Sequence, residues 1–387
     1  MENKKRKICV VTGNRSDYVK VLSVLKHIKN NPKLELSLVV TASHLLKNYG
    51  ESIKNIQKEG FKVDFIARTI LEGEDLVSMA KSVGLGALEL PTIFENIKPD
   101  IVLIVGDRFD IFPVAIVSAL MNIPLAHIQG GEITGTIDES IRHAITKLAH
   151  IHFPSTEKAK ERIIKMGENP DYVFNVGCPS YDLFNSLTNK PKEDLCKTEE
   201  DYKIHINPQE PYLILMQHPV TTEFPHAGEQ MYSTLKAVAK TGIQTAMFYP
   251  NVDAGNSDMI KIIRNAQSDL DLSKFSMYKN MSVKDFLNLL KHAACIVGNS
   301  SSGIREACYF GTPAINIGTR QNGRERAENV TDVASNEEEI YQAIMNAIKK
   351  GKYPSSNLYG DGKSGERIAT ILAEINLSSI IQKRFRE

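Results

Sequence analysis

Carboxylate and amide side chains gather in one short stretch of the sequence, LAHIQGGEITGTIDESIRHAI, which runs from residue 125 to 145. Gln129, Glu132, Asp138 and Glu139 follow a short apolar run and flank a pair of glycines. Carboxyl groups can carry protons to and from reacting atoms at neutral pH when their environments separate their pKa values. The stretch therefore indicates acid–base chemistry at the end of a buried strand.

Two other strand ends carry an arginine beside polar residues. VVTGNRSDY places Arg15 after the first apolar run, and LIVGDRFD places Asp107 and Arg108 after a later one. Each string alone is ordinary turn and helix-capping chemistry. Because these strings and the 125–145 stretch follow three strands at the same topological position, they favour one sheet edge at which arginines and carboxylates meet.

The second half of the chain contains a different kind of candidate site. CIVGNSSSGIREA combines a strand, a turn rich in glycine and serine, and the start of a helix. Backbone N–H groups, hydroxyls and the positive end of a helix dipole suit a phosphate. Glu306, one turn further along the predicted helix, is placed to accept hydrogen bonds from ribose hydroxyls. The turn is neither a Walker A loop nor a GxGxxG fingerprint, which disfavours mononucleotide kinases and dinucleotide-dependent enzymes.

Two loops in the same half carry further polar candidates. MQHPVTTEFPHAG contains His218 and His226, and YPNVDAG contains Asn251 and Asp253. Both loops follow predicted strands, and loops at strand ends are where function concentrates. His218 and His226 both flank helix-breaking prolines, so the residues alone do not rank them.

The elements that must position these residues alternate along the chain. Nearly continuous apolar runs such as ICVVT, LELSLVVT and DIVLIV are separated by amphipathic helical segments, which indicates parallel strands covered on both faces. A polar segment broken by prolines, about 186–211, separates two such series. We predict an α/β protein with two Rossmann-like doubly wound domains that face a central cleft. The predicted domains are 1–186 and 187–363, followed by a C-terminal helical segment, 364–387, that packs back on the first domain.

Composition narrows the class of protein. The chain has 387 residues, 42% hydrophobic and 24% charged, with a formal net charge of +1, which is typical of a globular protein without affinity for nucleic acid or anionic membranes. Five scattered cysteines argue against a disulfide framework or a metal site. The most apolar stretch, Ile111 to Ile128, is interrupted by Pro113 and Pro124 and predicts a helix and then a strand. We expect a cytoplasmic protein with neither a signal peptide nor a membrane span.

The assembled strings resemble those of the hydrolysing UDP-N-acetylglucosamine 2-epimerases, the first enzymes of sialic acid synthesis, and the epimerase half of the bifunctional animal enzyme. The resemblance covers about Lys7 to Ile375 and is carried by NRSDY, GDRFD, GGEITGTIDESIRHAITKLAH, GCPSYD, QHPVTT, PNVDAG, GNSSSGIREA, GTPAINIGTRQNGRE and YGDG. It implies a fold of the GT-B type and conversion of UDP-N-acetylglucosamine and water to N-acetylmannosamine and UDP. No kinase-like domain follows, and the resemblance implies no cofactor.

The resemblance also implies roles for individual residues. Asp107 and Asp138 match the proton carriers, and His218, with His226 as a further candidate, matches the group that assists the leaving phosphate. In the family UDP lies on the C-terminal domain, and forked guanidinium donors suit its diphosphate. The positions that match substrate contacts are Arg15, Arg108, Asn251, Asp253, Ser300, Ser301, Glu306 and Arg320.

One position departs from the family pattern. Where the family has His-Ile-Glu-Gly-Gly-Glu, this chain has Gln129 and, three residues later, Glu132. The first glutamate is a catalytic position in the family, and an amide neither takes nor gives a proton. Three explanations are open: an introduced Glu→Gln change that traps an intermediate, a natural variant that uses Glu132 or another group, and an altered activity. We expect UDP elimination to suffer less than the hydration that follows it.

Other functions are open as well. The same chemistry on a UDP-2,4-diacetamido-trideoxyhexose, as in a legionaminic-acid-type pathway, requires the same residues. A GT-B glycosyltransferase shares the fold and the nucleotide site but does not need so many carboxylates. A nucleotide-sugar sensor with an inactive site is favoured only by Gln129. Lys261 and Arg264 match two basic residues near the site of a CMP-sialic acid inhibitor in the animal enzyme, and lysine lacks the planar fork of arginine. The family implies a homodimer or a homotetramer.

Overall fold

The computed structural model describes residues 4–47, 51–73, 75–186, 192, 195, 203–251, 253–279, 281–378 and 380–386. These residues fall into two units. Unit 1 comprises the described residues within Met1–Glu132, Asp138–Asn185 and Tyr359–Glu387, and unit 2 comprises those within Ile133–Ile137 and Ser186–Leu358.

Unit 1 contains a parallel sheet of six strands. The strands are β1 Arg6–Thr12, β2 Leu34–Thr41, β3 Phe65–Ala67, β4 Ile101–Val105, β5 Leu125–Ile128 and β6 Ile151–Phe153. Their order is β3-β2-β1-β4-β5-β6, so the direction of winding reverses between β1 and β4. In open α/β sheets ligands bind at such a reversal, outside the carboxyl ends of the strands.

Both faces of this sheet are covered. The helices that follow its strands are α1 Arg15–Asn30, α2 Ile53–Lys58, α3 Leu76–Ile97, α4 Phe112–Leu120, α5 Ile137–Leu148 and α6 Glu157–Lys165. Alternate side chains of β1 enter different core clusters: Ile8 and Val10 pack on one face, and Cys9 and Val11 pack on the other. Burial on both faces explains why the strands read as continuous apolar runs in the sequence.

Unit 2 repeats this architecture with a second parallel sheet of six strands, in the order β12-β11-β10-β7-β8-β9. The strands are β7 Tyr212–Met216, β8 Gln244–Phe248, β9 Phe275–Tyr278, β10 Cys295–Gly298, β11 Ala314–Ile317 and β12 Val330–Val333. The helices are α7 Ala227–Lys240, α8 Asn256–Asn265, α9 Val283–His292, α10 Ser301–Ile304, α11 Glu306–Phe310 and α12 Glu337–Lys350. The predicted α/β class with two doubly wound sheets is confirmed.

The last helix, α13 Ser364–Glu374, belongs to unit 1. Its Ile368 and Leu372 lie in the same core cluster as Val10. The Asp182 carboxylate accepts hydrogen bonds from the first two backbone N–H groups of α13, at 2.9 and 2.6 Å. A carboxylate at the positive end of a helix satisfies backbone donors that would otherwise lack partners.

The unit boundaries differ from those predicted. The sequence placed 359–363 in the second domain and 133–137 in the first, whereas the structure assigns 359–363 to unit 1 and 133–137 to unit 2. Within unit 2 the backbone N–H of Gly135 donates to the carbonyl of Arg320 at 3.1 Å, which attaches this short loop. Most of the polar segment predicted as a domain boundary, 187–191, 193–194 and 196–202, lies outside the described residues.

A buried carboxylate ties the C-terminal tail to α5. Glu168 accepts hydrogen bonds from the amino groups of Lys147 and Lys383, both at 2.6 Å, and pairs with Nε2 of His152 at 3.2 Å. Lys383 also donates to backbone carbonyls at the end of α5, including that of Ala149 at 2.5 Å. Burial alone would raise the pKa of Glu168, but hydrogen bonds from His152, Lys147 and Lys383 lower it to about 2.

We expect Glu168→Gln to lower the free energy of unfolding at pH 7 by about 2 kcal/mol, because the change removes the buried charge that accepts from His152, Lys147 and Lys383. The folded pKa lies below the ordinary value of 4.5, so this contribution is present above that pH and is lost as the pH falls toward about 2. Urea unfolding should show a smaller difference in the free energy of unfolding between wild type and variant at pH 3 than at pH 7. Glu161→Gln, on the exposed side of α6, is the control. If the loss of unfolding free energy in Glu168→Gln were the same at both pH values, the charge of Glu168 would not be the source of the stabilisation.

None of the helices in the described part of the chain combines the length and the apolar character of a membrane span. Cys9, Cys178, Cys295 and Cys308 are buried and form no disulfide, and Cys196 lies outside the described residues. Among the residues with described positions, no group of three or more His, Cys, Asp or Glu side chains is arranged to hold a metal ion.

Candidate active site

Arg142 is the centre of the candidate site in unit 1. Its side chain, on α5, is about 1% exposed. Two of its N–H groups donate to the same carboxylate oxygen of Asp107, the Nε–H group at 2.8 Å, and Nη1 donates to the backbone carbonyl of Glu132 at 2.7 Å. Asp107 follows β4 and Glu132 follows β5, which are neighbouring strands. One buried guanidinium therefore ties together two adjacent strand ends.

A third carboxylate faces the same cation. Asp138 lies in the first turn of α5, four residues before Arg142, and this spacing places both side chains on one face of the helix. Burial would lower the pKa of Arg142, but the charges of Asp107, Glu132 and Asp138 raise it above its ordinary value. The structure thus brings three sequence-predicted residues together around Arg142. Arg142 was missed in the sequence, although its spacing from Asp138 was visible there.

Gln129 lies apart from the contacts of this cluster. It directly follows β5 and has the left-handed backbone conformation, with φ of 67°, which is uncommon for a residue other than glycine. Its backbone N–H donates to the Phe153 carbonyl at 2.9 Å, and its side-chain Nε2 donates to Sγ of Cys178 at 3.0 Å. The side chain is buried. Its amide is therefore directed at a thiol.

His127, two residues earlier, supports the strand ends. Its ring Nε2 donates to the carbonyl of Gly106 at 2.7 Å, so a proton must lie on that nitrogen. Burial lowers the pKa of His127 to about 4, which leaves the ring neutral at pH 7. His127 therefore fixes the turn at Gly106 that precedes Asp107.

The end of β1 supplies Arg15 and a buried carboxyl that the sequence interpretation missed. Arg15 begins α1, and burial lowers its pKa. Asn14 caps α1: its side chain accepts from the backbone N–H of Asp17 at 3.1 Å and donates to the Asp17 carboxylate at 2.7 Å. Burial, and then the charge of Asp110, raise the pKa of Asp17 well above its ordinary value. The Asn-x-x-Asp spacing of a capping box was the available signal.

Arg108 and Asp110 lie beside this turn. The Arg108 guanidinium Nε is 3.5 Å from the Asp110 carboxylate, and both residues are buried. Arg108 also favours the charged form of Asp17, whereas Asp110 opposes it. The ends of β1 and β4 thus share one set of interacting charges, as the recurring strings predicted.

In unit 2, Asn299 joins the ends of β7 and β10. Its side chain accepts from the backbone N–H of His218 and donates to the His218 carbonyl, both at 2.8 Å. The backbone N–H of Asn251 donates to Nδ1 of His218 at 3.2 Å. A ring nitrogen that accepts carries no proton, so the neutral ring bears its proton on Nε2. Asn299 itself was not singled out in the sequence, although it precedes the serine turn.

The serine turn differs from the predicted single helix. Ser300 caps α10 by accepting from the backbone N–H of Ser302 at 3.3 Å, and Ser301 is the first residue of α10. Helix α10 ends after four residues, and Arg305, with φ of −91° and ψ of −68°, separates it from the next helix. Glu306 therefore begins the separate helix α11 rather than continuing the first. The helix dipole at the turn is correspondingly short.

Arg320, Asp253 and His226 are further predicted residues of unit 2, and they lie in three different places. Arg320 donates from Nη1 to the carbonyl of Asn299 at 3.2 Å, which places it with the serine turn and His218. Asp253 is buried in the turn before α8, where its backbone N–H donates to the Asn251 carbonyl at 2.9 Å. His226 precedes α7 with its side chain 68% exposed and Nδ1 3.4 Å from Glu229. The structure does not bring His226 into contact with the Asn299 group, which comprises Asn299, His218, Asn251, Arg320 and the adjoining Ser300 and Ser301.

A glycine makes this arrangement of strand ends possible. Gly298, at the end of β10, has φ of +125°, and a Cβ there would lie 2.1 Å from the carbonyl oxygen of Met216 on β7. We expect Gly298→Ala to lower the free energy of unfolding by about 2 kcal/mol, from left-handed strain and the required backbone shift. Gly242→Ala is the matched control, because Gly242 also has positive φ but open space around it. Equal urea-unfolding losses for both variants would show that the close approach to Met216 has no cost.

Comparison with known proteins assigns the family. The model of the UDP-N-acetylglucosamine 2-epimerase family matches residues 26–373, which include the Arg142 and Asn299 groups. The chain belongs to this family. It is therefore a UDP-sugar 2-epimerase, and the resemblance of the sequence strings to the UDP-N-acetylglucosamine 2-epimerases is confirmed. The resemblance to the animal enzyme stays a prediction.

Curated relatives of the epimerase align along nearly their whole length. The chain is 36% identical over 376 residues to the UDP-N,N'-diacetylbacillosamine 2-epimerase (hydrolyzing) of Legionella pneumophila, covering 97% of this chain and 98% of the relative. It is 35% identical over 384 residues to a UDP-N-acetylglucosamine 2-epimerase of Neisseria meningitidis, covering 98% of each. Both relatives are named as 2-epimerases, with different sugars.

Solved structures share the fold of the epimerase. The structure of UDP-GlcNAc 2-epimerase from Neisseria meningitidis bound to UDP-GlcNAc superimposes with a TM-score of 0.78 at 19% identity, covering 95% of this chain and 99% of the other. The S. aureus MnaA–UDP structure gives a TM-score of 0.75 at 20% identity, covering 95% and 96%. At these identities the likeness shows the two-domain fold, and it agrees with the predicted GT-B type.

Proposed function

We propose that the protein is a hydrolysing 2-epimerase that converts UDP-N-acetylglucosamine and water to N-acetylmannosamine and UDP. The observation that carries the proposal is the buried guanidinium of Arg142, which binds Asp107 and interacts with Glu132 and Asp138. Carboxylates gathered at one strand edge suit a reaction in which a proton leaves C2 and another returns. A relative 35% identical to this chain carries the name of this activity.

The first step is elimination of UDP. A carboxylate removes the proton from C2, the C2–H electron pair forms a double bond to C1, and the bond from C1 to the UDP oxygen breaks with its pair going to UDP. We assign the base to Asp107, because its ion pair with Arg142 favours the ionised carboxylate. We assign His218 to the leaving diphosphate, because its neutral ring offers an N–H at Nε2.

The second step is hydration of 2-acetamidoglucal. Water adds at C1, and C2 takes a proton on the face opposite to the one that lost it, which gives N-acetylmannosamine. Asp138 is assigned as the second proton carrier, and Glu132 is a further candidate. Gln129 occupies the family's glutamate position but has no transferable proton. On this assignment hydration is the step that an amide at 129 slows.

We assign UDP binding to unit 2. Its Asn299 group supplies hydroxyl, imidazole and guanidinium donors at neighbouring strand ends, and a guanidinium fork matches a diphosphate. Glu306 is assigned to the ribose hydroxyls. Neither step requires an electron acceptor: in the elimination C1 is formally reduced and C2 oxidised, and in the hydration both changes are reversed. The residues assigned to the substrate are Arg15, Arg108, Asn251, Asp253, Ser300, Ser301, Glu306 and Arg320.

A UDP-2,4-diacetamido-trideoxyhexose is the second candidate substrate. Support comes from the Legionella relative at 36% identity and from a Campylobacter jejuni relative at 34%, which are named for diacetylbacillosamine. Both candidate sugars carry the C2 proton, the 2-acetamido group and the C1 diphosphate that the elimination uses. They differ at C4 and C6, away from the reacting bonds.

The test is to incubate the protein with each UDP-sugar and no acceptor, measuring released UDP and following the sugar by proton NMR. We expect UDP release with both an epimerised product and, because of Gln129, accumulated glycal. Release that depends on an added acceptor would indicate a glycosyltransferase, and binding without release would indicate a sensor. The sugar with the larger kcat/KM is the substrate.

Assembly and feedback inhibition stay predictions. Light scattering of the purified protein tests the expected homodimer or homotetramer. Lys261 and Arg264 lie on α8, and an inhibition assay with CMP-sialic acid tests whether they support feedback.

A further inference from the structure

Two of the sequence strings, GCPSYD and YGDG, have no part in the proposed chemistry, and the structure shows that they meet inside unit 1. The backbone N–H of Cys178 donates to the Tyr359 carbonyl at 2.6 Å. A Cβ on Gly177 would lie 2.9 Å from the Cα of Gly360, so only glycine allows this approach of the two backbones. The close packing fixes where the Cys178 side chain begins.

From this position the Cys178 thiol reaches residue 129. Its Sγ lies 3.0 Å from Nε2 of Gln129 and 3.0 Å from Oγ of Ser180. Cys178 and Ser180 are fully buried, and Gln129 is about 2% exposed. An amide N–H is only a donor, so the sulfur is the acceptor in its bond with Gln129.

The contact completes the restraint on Gln129. Its backbone is already held by the bond to Phe153 and by the left-handed conformation. Rotation of the Gln129 side chain is the remaining freedom, and the hydrogen bond from its Nε2 to Sγ of Cys178 restricts that rotation. We propose that Cys178 is a positioning residue for position 129 in the 2-epimerase reaction, an inference that rests on the proposed function.

The chemistry of a thiol explains why this anchor suits either residue at 129. Sulfur accepts from the amide of glutamine, and an S–H group donates to the carboxylate of glutamate. The same pocket therefore holds the glutamine found here and the glutamate expected from the family. We expect Gln129→Glu to fold normally and to keep its side chain against Cys178.

Steady-state kinetics on a double-mutant cycle tests the inference. We expect Cys178→Ala to lower kcat for formation of the epimerised sugar about tenfold, as for a lost pairwise contact, with KM changed less than about twofold. Cys178→Ser retains an acceptor and should keep most of the activity. Gln129→Ala and the double variant should have equal kcat, because Cys178 acts only through residue 129. Cys9→Ala, which removes a buried thiol from β1 of the same unit, should leave kcat unchanged.

Side-chain amide NMR of selectively labelled glutamine supplies a readout that needs no turnover. The Gln129 amide signals should shift in Cys178→Ala and stay in place in Cys9→Ala. Unshifted Gln129 signals, or kcat losses that add in the double variant, would overturn the inference. If wild type releases no UDP from either sugar, the proposed function fails, while the NMR comparison still decides whether Cys178 holds Gln129.

Discussion

Asp107→Asn should lower kcat for UDP release by about 10²–10⁴, the usual contribution of a positioned acid or base. Asparagine keeps the size of the side chain and an oxygen that can accept from Arg142, so the local geometry is retained. The amide cannot take the C2 proton. KM should change less than about threefold, because the loss falls on the chemical step rather than on binding.

The measurement is UDP release at saturating and limiting UDP-sugar, with circular dichroism to show that the variant is folded. Asp171→Asn is the control, because Asp171 is an exposed carboxylate of the same unit. A variant with wild-type kcat would remove Asp107 from the mechanism. A rise in KM alone would reassign it to substrate binding.

Arg142→Met should lower the free energy of unfolding by about 3–5 kcal/mol, the cost of breaking a buried ion pair from one side. Methionine fills similar space but offers no donor to Asp107 or to the Glu132 carbonyl. Three carboxylates would then lie near one another without their cation. Protonation of one of them would reduce the cost at acidic pH.

Urea unfolding at pH 7 measures this loss. Arg142→Lys keeps the charge but not the two-pronged donation, so it should fall between wild type and Arg142→Met. Arg68→Met, at an exposed arginine of the same unit, is the control and should change stability by less than about 0.5 kcal/mol. A loss for Arg142→Met no larger than the control would show that the carboxylates do not depend on Arg142.

The sequence predicted the fold class because burial leaves a direct mark on composition. A strand covered on both faces must be apolar at nearly every position, as in ICVVT and DIVLIV, and crossover helices must separate such strands. The pattern does not show which short loop belongs to which unit. The assignment of 133–137 to unit 2 depends on contacts such as Gly135 with Arg320, which link residues far apart in sequence.

The sequence also predicted only part of the candidate site. Glycine and carboxylate strings placed Asp107 and Asp138 at strand ends, but the role of Arg142 depends on which side chains face it in three dimensions. The break at Arg305 was not visible in the sequence, because neither proline nor glycine stands at Arg305 or directly after it. His226 looked similar to His218 as a loop histidine, and only the structure separates the buried ring from the exposed one.

The last part of unit 1 to be synthesised is also part of its core. Ile368 and Leu372 lie in the same core cluster as Val10, and Lys383 binds the end of α5, so β1 can complete its packing only after residues 364–383 have been synthesised. Most of unit 2 is encoded between these two pieces and has its own core residues earlier. Removal of residues 359–387 should therefore destabilise unit 1 more than unit 2, although unit 2 directly precedes the removed segment in the sequence.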